Sequence, residues 1–81
     1  DNKRWDLKDI YGKSKNTIDN AVLSKKKQAS NFIFDISKTD LTFDQIDKQV
    51  KKLYLSERRK WIDDIKLVQN NRIIKEYYRK K

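Results

Sequence analysis

The sequence predicts an α+β fold, a small β-α-β-α-β-β domain with a mainly antiparallel sheet and two helices packed on one face. Three observations support this prediction. Four segments have the apolar patterns of strands, two have helical spacing behind good capping residues, and 81 residues suffice for one domain only, residues 1–81. Because helices connect strands of one sheet, we expect the opposite sheet face to be partly open.

The first half of the chain predicts two strands and one helix. Residues 4–8 alternate apolar and polar side chains, as in a half-buried strand. Ser14 or Asn16 can cap a helix that continues to about Lys27. Residues 31–36 are apolar at four positions, which favours a central strand covered on much of both faces.

The second half predicts a helix followed by a hairpin. Residues 42–45 read Thr-Phe-Asp-Gln, the sequence of a capping box, and apolar residues then recur on one helical face. Residues 61–69 and 72–78 have strand patterns. Asn70 and Asn71 between them can adopt the positive φ angles of a two-residue turn.

The composition is strongly basic. Twenty-one Lys and Arg against 12 Asp and Glu give a net charge of +9, which opposes compaction and favours a phosphate-bearing partner. RNA is the polyanion we expect, although a Lys-rich solvated surface would give the same composition. Basic runs at residues 25–27, 58–60 and 79–81 are expected to contact the RNA backbone without reading its sequence.

Several chemistries are excluded by residues that the sequence lacks. It contains no Cys and no His, which removes disulfides, Cys/His zinc sites and imidazole or thiolate catalysis, and we predict neither metal nor cofactor. No apolar run approaches the ~20 residues of a membrane span, and the charged first residues lead us to expect no secretory signal in this sequence. Because the chain begins at Asp1 without Met, we expect it to be the C-terminal part of a longer protein.

The hairpin register predicts one candidate site. A tight Asn-Asn turn would pair Val68 with Ile73, Leu67 with Ile74, and Lys66 with Lys75. One face would then carry Asp64, Lys66, Lys75 and Tyr77. Two opposed lysines repel unless an anion lies between them, so this face is a candidate phosphate site. A solvated face whose lysines protect the sheet edge is the alternative.

The start of the first helix predicts a second candidate wall. Lys15, Asn16 and Thr17 would offer ammonium, amide, hydroxyl and backbone donors at a helix N-terminus, a natural anion site. Asp6 and Lys8 on the first strand would line the same groove. The alternative is that Ser14, Asn16 and Thr17 only cap the helix.

Four stretches of the chain carry a family resemblance. They are Lys-Arg-Trp-Asp-Leu-Lys at 3–8, Ser-Lys-Asn-Thr-Ile at 14–18, Gln-Ala-Ser-Asn-Phe-Ile-Phe-Asp-Ile-Ser at 28–37 and Arg-Ile-Ile-Lys-Glu-Tyr at 72–77. In order and spacing, they resemble the C-terminal toxin domains of contact-dependent growth-inhibition (CDI) proteins. These domains are similar to the barnase/EndoU/colicin/RelE class of ribonucleases, although many ribonucleases use the histidine that this chain lacks.

The resemblance implies a metal-independent endonuclease for RNA, above all tRNA. It would be delivered by a larger secreted or cell-surface protein, act as a monomer in the cytoplasm of a neighbouring bacterium, and be neutralised by an acidic immunity protein. Together with the charge pattern, it assigns catalysis to Asp6, Lys15, Asn16, Thr17, Lys75 and Tyr77. It assigns RNA binding to Arg4, Lys8, Lys13, Ser14 and Lys66.

Two other functions fit the same residues. The first is a non-catalytic module that binds RNA or DNA through its basic surface. The second is a protein-interaction domain whose basic surface meets an acidic partner. Both predict a domain of this size and charge, so cleavage of RNA is the property that separates them from a ribonuclease.

Overall fold

A computed structural model describes residues 4–25 and 28–79 of the chain. The elements are β1 (Asp6–Asp9), α1 (Thr17–Leu23), β2 (Phe32–Asp35), α2 (Phe43–Leu55), a short 3-10 helix (Glu57–Arg59), β3 (Asp64–Gln69) and β4 (Arg72–Tyr78). This order confirms the predicted α+β arrangement. Helix α1 is shorter than expected and ends at Leu23, while its predicted end at Lys27 lies outside the described residues.

The four strands form one mixed sheet in the order β1-β2-β3-β4. Strands β1, β2 and β3 are parallel neighbours, and only β3 and β4 pair antiparallel. The expectation of a mainly antiparallel sheet is therefore wrong. The reason is the connectivity. Helix α1 lies between β1 and β2, and α2 lies between β2 and β3. Each returns the chain to the end of the sheet where the previous strand began, so the next strand runs parallel to it.

The core lies between one sheet face and the two helices. Its sheet side is formed by buried residues that alternate along the strands, namely Phe32, Phe34, Ile65, Leu67 and Tyr77. Its helix side is formed by Ile18, Val22, Ile46, Val50 and Leu53, all of them almost fully buried. The alternation places the other strand residues on the opposite face, which we call the open face. Leu7, Ile73 and Tyr78 lie there and are 68%, 56% and 60% exposed.

Helix α2 begins with the predicted capping box. The Thr42 hydroxyl accepts a hydrogen bond from the Gln45 amide at 3.2 Å, and the Gln45 side chain accepts one from the Thr42 amide at 2.8 Å. These two bonds satisfy backbone donors that the first helical turn leaves unpaired. They fix the start of α2, the helix that contributes Ile46, Val50 and Leu53 to the core.

The hairpin turn forms as predicted, since Asn70 and Asn71 have φ angles of 51° and 65°. The register next to it is different. Val68 pairs with Ile73 as expected, but an irregularity follows, and Leu67 then pairs with Lys75. A β-bulge of this kind inserts one unpaired residue and moves every later side chain to the other face.

The bulge corrects the predicted phosphate site on the sheet. Lys66 pairs with Glu76 rather than with Lys75, and their side chains lie 3.5 Å apart as an ion pair. Lys66 stays on the open face, whereas Lys75 and Tyr77 point to the helix face. The shift replaces a repulsive lysine pair with an attractive one and buries the Tyr77 ring to 8% exposure.

Candidate nucleic-acid interface

A basic cleft opens where the start of α1 meets the end of α2. Its volume is about 200 Å³, and we call it the α1–α2 cleft. It is lined by Lys15, Asn16, Asp19, Gln49, Lys52, Leu53, Ser56, Arg58 and Arg59. Two of the sequence-predicted residues, Lys15 and Asn16, therefore meet basic residues from a distant part of the chain.

Gln49 holds the two sides of the cleft together. Its carbonyl oxygen accepts a hydrogen bond from the Ile18 amide at 3.0 Å, and its amide nitrogen donates one to the Ser14 carbonyl at 3.0 Å. One side chain of α2 thus satisfies a donor in the first turn of α1 and anchors the segment before it. This anchoring gives Lys15 and Asn16 a fixed position beside α2.

A bidentate ion pair connects the 3-10 helix to α1. Arg59 donates from Nε to Asp19 Oδ1 at 2.6 Å and from Nη2 to Asp19 Oδ2 at 3.0 Å. These hydrogen bonds raise the pKa of the Arg59 guanidinium, whose side chain is only 12% exposed. The pair brings the neighbouring Arg58 to the cleft.

The cleft carries an excess of positive charge. It contains four cationic side chains and the single carboxylate of Asp19, which Arg59 engages. The other three, Lys15, Lys52 and Arg58, make no ion pair within residues 4–25 and 28–79. Unmatched cations around a concave surface focus positive potential and attract phosphate, and a guanidinium can contact two phosphate oxygens at once.

The hydroxyls of the predicted helix-start site serve the backbone. Thr17 donates from Oγ1 to the Ser14 carbonyl at 2.8 Å, and the Ser14 hydroxyl accepts from the Asn16 amide at 3.1 Å. Neither residue lines the cleft. Asn16 is the N-cap residue of α1, makes no side-chain cap bond and lines the cleft.

Tyr77 and Lys75 lie in a separate cluster with Asp47 of α2. The Tyr77 hydroxyl donates to Asp47 Oδ1 at 2.5 Å, and Lys51 approaches Asp47 Oδ2 at 2.9 Å. These contacts lower the pKa of Asp47, whereas burial, and then the carboxylate, raise the pKa of Tyr77. The Lys75 ammonium lies 5.7 Å from the centre of the Tyr77 ring. Tyr77 is consequently a neutral hydrogen-bond donor in this cluster.

Helix α2 separates this cluster from the helix-start segment. Asp47 faces Tyr77, and Gln49 faces Ser14. Two residues along a helix are rotated by about 200° around its axis, so the contacts lie on opposite flanks of α2. The predicted single groove between Lys15 and Lys75 is therefore wrong, because the sequence pattern did not reveal that α2 passes between them.

The predicted residues of β1 lie beneath α1. Lys8 donates to the Ala21 carbonyl at 3.4 Å and to the Ser24 hydroxyl, which satisfies groups at the end of α1. Asp6 Oδ2 is buried and has no hydrogen-bond partner in the described part of the chain. Neither Asp6 nor Lys8 lines the α1–α2 cleft.

The remaining predicted RNA-binding residues are dispersed. Lys66 lies on the open face, with its ammonium 4.7 Å from the Trp5 ring centre and beside Glu76. Arg4 and Lys13 are exposed, and the Arg4 carbonyl accepts a hydrogen bond from the Asn31 side chain. None of these residues contributes to the cleft.

Seven of the nine residues that line the cleft escaped the sequence-based site prediction, among them the cations Lys52 and Arg58. Lys52 was not singled out, and Arg58 was assigned only to a basic run. A signal existed for Lys52, because it follows Gln49 by three residues and precedes Ser56 by four, so all three share one face of α2. Of the three basic runs, only Lys25, residues 58–60 and Arg79 lie within the described residues.

Two further features bear on the kind of site. Among residues 4–25 and 28–79, no three acidic, His or Cys side chains come together as a metal-binding group. No helix in the same two segments has the length and apolar character needed to cross a membrane.

Comparison with known proteins identifies the family. The sequence matches, over residues 1–74, the family described as the contact-dependent growth inhibition CdiA C-terminal domain. No curated protein and no solved structure matches the chain. Domains of this family are delivered into target cells as part of a larger cell-surface protein, are commonly nucleases and typically pair with an immunity protein. With 74 of its 81 residues matched, the chain belongs to this family and is a toxin domain of contact-dependent growth inhibition.

Proposed function

We propose that this toxin domain is an endoribonuclease that binds the backbone of its RNA substrate, above all tRNA, in the α1–α2 cleft. One observation carries the proposal. Lys15, Lys52 and Arg58 converge on a concave surface without a carboxylate partner among the described residues. A phosphodiester supplies the negative charge that this arrangement lacks.

The cleft supports RNA cleavage by the substrate's own 2′-hydroxyl. Attack of that oxygen on the adjacent phosphorus forms a 2′,3′-cyclic phosphate and breaks the bond from phosphorus to the 5′-oxygen. The 2′-hydroxyl loses a proton, and the departing 5′-oxygen takes one up. Extra negative charge builds up on the phosphate oxygens during this exchange, and fixed cationic donors stabilise it. Lys15 and Arg58 would contact these oxygens, and the Asn16 amide would position the nucleotide. Because ammonium and guanidinium groups provide the charge, the proposed reaction requires no metal ion.

The proposal modifies the predicted set of catalytic residues. It retains Lys15 and Asn16 and adds Lys52 and Arg58 from α2 and the 3-10 helix. Thr17, Lys75 and Tyr77 are supporting residues in this proposal, because their side-chain contacts are made within the fold. Asp6 is not part of the proposed site, because it does not line the cleft. Ser14 supports the cleft through its hydrogen bond with Gln49.

The same cleft suggests how the toxin is neutralised. We infer that a cognate immunity protein presents carboxylates to Lys15, Lys52 and Arg58 and thereby excludes RNA in the producing cell. A net charge of +9 would accelerate the encounter with an acidic partner by electrostatic steering. In the target cell, where that partner is missing, the toxin would act on RNA in the cytoplasm.

The decisive experiment is a cleavage assay with the purified chain and total tRNA in the presence of EDTA. We expect new RNA fragments with wild type and a fall in rate of about a hundredfold or more for the double variant Lys52→Ala/Arg58→Ala. Lys48→Ala is the matched control, because Lys48 is an exposed lysine of the same helix outside the cleft.

Two outcomes would contradict the proposal. If the double variant cleaved tRNA as fast as wild type, the cleft would not be the site. If wild type bound tRNA but left it intact at high protein excess, the chain would be a binding module. Tight binding of an acidic protein without any affinity for RNA would instead indicate the protein-interaction function.

A further inference from the structure

A second pocket lies across the end of α2 from the α1–α2 cleft. It has a volume of about 680 Å³, and we call it the aromatic pocket. It is lined by Lys51, Tyr54, Leu55, Tyr77, Tyr78 and Arg79. Leu55 is 85% exposed, so the pocket presents a large apolar group that the core does not use.

We propose that the aromatic pocket binds an unpaired nucleobase of the RNA whose backbone occupies the α1–α2 cleft. This inference rests on the proposed function for the RNA itself, but the pocket is argued from its own residues. Nucleobases stack on tyrosine rings and pack against aliphatic side chains. Paired and stacked bases within a duplex do not offer these faces, so the pocket selects single-stranded or extruded nucleotides.

The walls of the aromatic pocket are fixed before any ligand binds. Tyr54 donates its hydroxyl hydrogen to the Asp63 carbonyl at 2.8 Å, and Tyr77 donates to Asp47 at 2.5 Å. Their ring centres are 6.4 Å apart. Since its hydroxyl is engaged within the fold, the half-buried Tyr54 ring offers apolar surface, and the buried Tyr77 ring supports it from the core. A rigid aromatic wall reduces the entropy lost on binding.

Positive charge lies beside the aromatic walls. The Arg79 guanidinium is 4.9 Å from the centre of the Tyr54 ring and donates to the carbonyls of Ile62 and Arg59 at 2.5 and 2.9 Å. These acceptors are neutral, and Arg79 has no carboxylate partner in the two described segments. Its charge therefore favours a nucleotide over an uncharged apolar ligand.

Successive residues of α2 line the two pockets, so the pockets adjoin and one ligand could occupy both. Lys52 and Leu53 line the α1–α2 cleft, and Tyr54 and Leu55, the next two residues of α2, line the aromatic pocket. The last turn of α2 thus forms a ridge between a phosphate-binding surface and a base-binding surface. An RNA strand that crosses this ridge would place a phosphate on one side and a neighbouring base on the other.

The experiment compares two uncleavable probes. One is a short 2′-O-methyl oligouridylate, and the other is an abasic 2′-O-methyl strand of the same length and charge. We expect wild type to bind the base-containing strand about tenfold more tightly, because a stacked base contributes on that scale. The methyl resonances of Leu55 should shift on addition of the base-containing strand only.

Variants locate the effect. Leu55→Ser and Tyr54→Leu should each remove most of the preference for the base-containing strand and leave abasic binding unchanged. Leu7→Ser is the control, since Leu7 is a 68% exposed leucine on the open face. Because the Leu55 side chain is almost fully exposed, its substitution tests the pocket even if Tyr54→Leu fails to fold.

The results separate this inference from the proposed function. Equal affinity of wild type for both strands would overturn the inference, as would an unchanged preference in both pocket variants. Such a result, combined with tRNA cleavage that depends on Lys52 and Arg58, would leave the ribonuclease proposal intact. A retained base preference without tRNA cleavage would support the pocket and contradict the ribonuclease.

Discussion

Asp19 and Arg59, 40 residues apart in sequence, form a two-point ion pair at the edge of the α1–α2 cleft. Asp19 lies in the first turn of α1, where a carboxylate is favoured by the helix dipole. Arg59 belongs to the 3-10 helix that follows α2. The pair therefore connects the two elements that bring Lys15 and Arg58 to the same surface.

This pair should be measurable as a coupling energy. We expect Asp19→Asn and Arg59→Gln to be coupled by about 1 kcal/mol in a double-mutant cycle of urea unfolding, because the contact is charge-assisted but partly solvated. Arg59→Lys should recover only part of this energy, since an ammonium cannot make the two-point contact. Additive effects of the two substitutions would show that the pair contributes nothing to stability.

The pKa of Asp47 predicts how the stability of the fold depends on pH. Hydrogen bonds from Tyr77, then from Lys51, lower the pKa of Asp47 below its ordinary value of 3.8. As the pH falls, the Asp47 carboxylate is therefore protonated in the unfolded chain before it is protonated in the folded chain. Its contribution to the stability of the fold is complete above the ordinary value and is lost as the pH falls through the lower pKa of the folded state. Thermal unfolding measured between roughly pH 6 and pH 2, the range in which such a carboxylate titrates, should show the loss.

Tyr77→Phe provides the control for Asp47. Removal of the hydroxyl should cost about 1–2 kcal/mol at neutral pH, because a hydrogen bond to a charged group is lost. It should also weaken the acid dependence. If wild type and Tyr77→Phe lost stability in parallel over the whole acid range, the Tyr77 hydrogen bond would not be what lowers the pKa of Asp47.

The hairpin register is open to a direct test by charge reversal. In the observed register, Glu76→Lys places two lysines opposite each other and should destabilise the fold by about 0.5–1 kcal/mol. Lys75→Glu should bring no gain from Lys66, because Lys66 and Lys75 lie on opposite faces. A cross-strand contact between the Hα protons of Lys66 and Lys75 would instead support the register predicted from the sequence.

Local patterns predicted the elements of the fold well. The capping box at Thr42, the Asn70-Asn71 turn and the order of strands and helices depend on residues close together in the chain, and all are confirmed. Strand direction was not predictable in this way. It depends on which end of the sheet each helix returns to, a property of the whole topology.

The candidate site was also predictable only where its signal lies in residues close together in the chain. Lys15 and Asn16 could be selected from the sequence, because a polar segment before a helix is a local signal. The spacing of Lys52 from Gln49 and Ser56 is also a local signal, but the sequence could not group Lys52 and Arg58 with Lys15 and Asn16, since only the packing of α2 against α1 brings them together. The predicted role of Lys75 failed for a related reason, because one bulged residue reverses the faces of β4 and alternation alone does not reveal a bulge.

The geometry of the α1–α2 cleft can be altered at Gln49 without a change in the charge of the cleft. Gln49→Leu keeps the size of the side chain but removes both hydrogen bonds to the segment of Ser14 and Ile18. We expect a loss of about 1–2 kcal/mol in unfolding free energy and a several-fold weaker affinity for RNA, because Lys15 would no longer be held beside α2.

Gln49→Glu keeps the acceptor for Ile18 and should retain more stability, yet its carboxylate should weaken RNA binding. Lys48→Leu controls for a nearby change that reduces net charge. If Gln49→Leu bound RNA as tightly as wild type, the position of Lys15 would not depend on Gln49, and the cleft would act through charge alone.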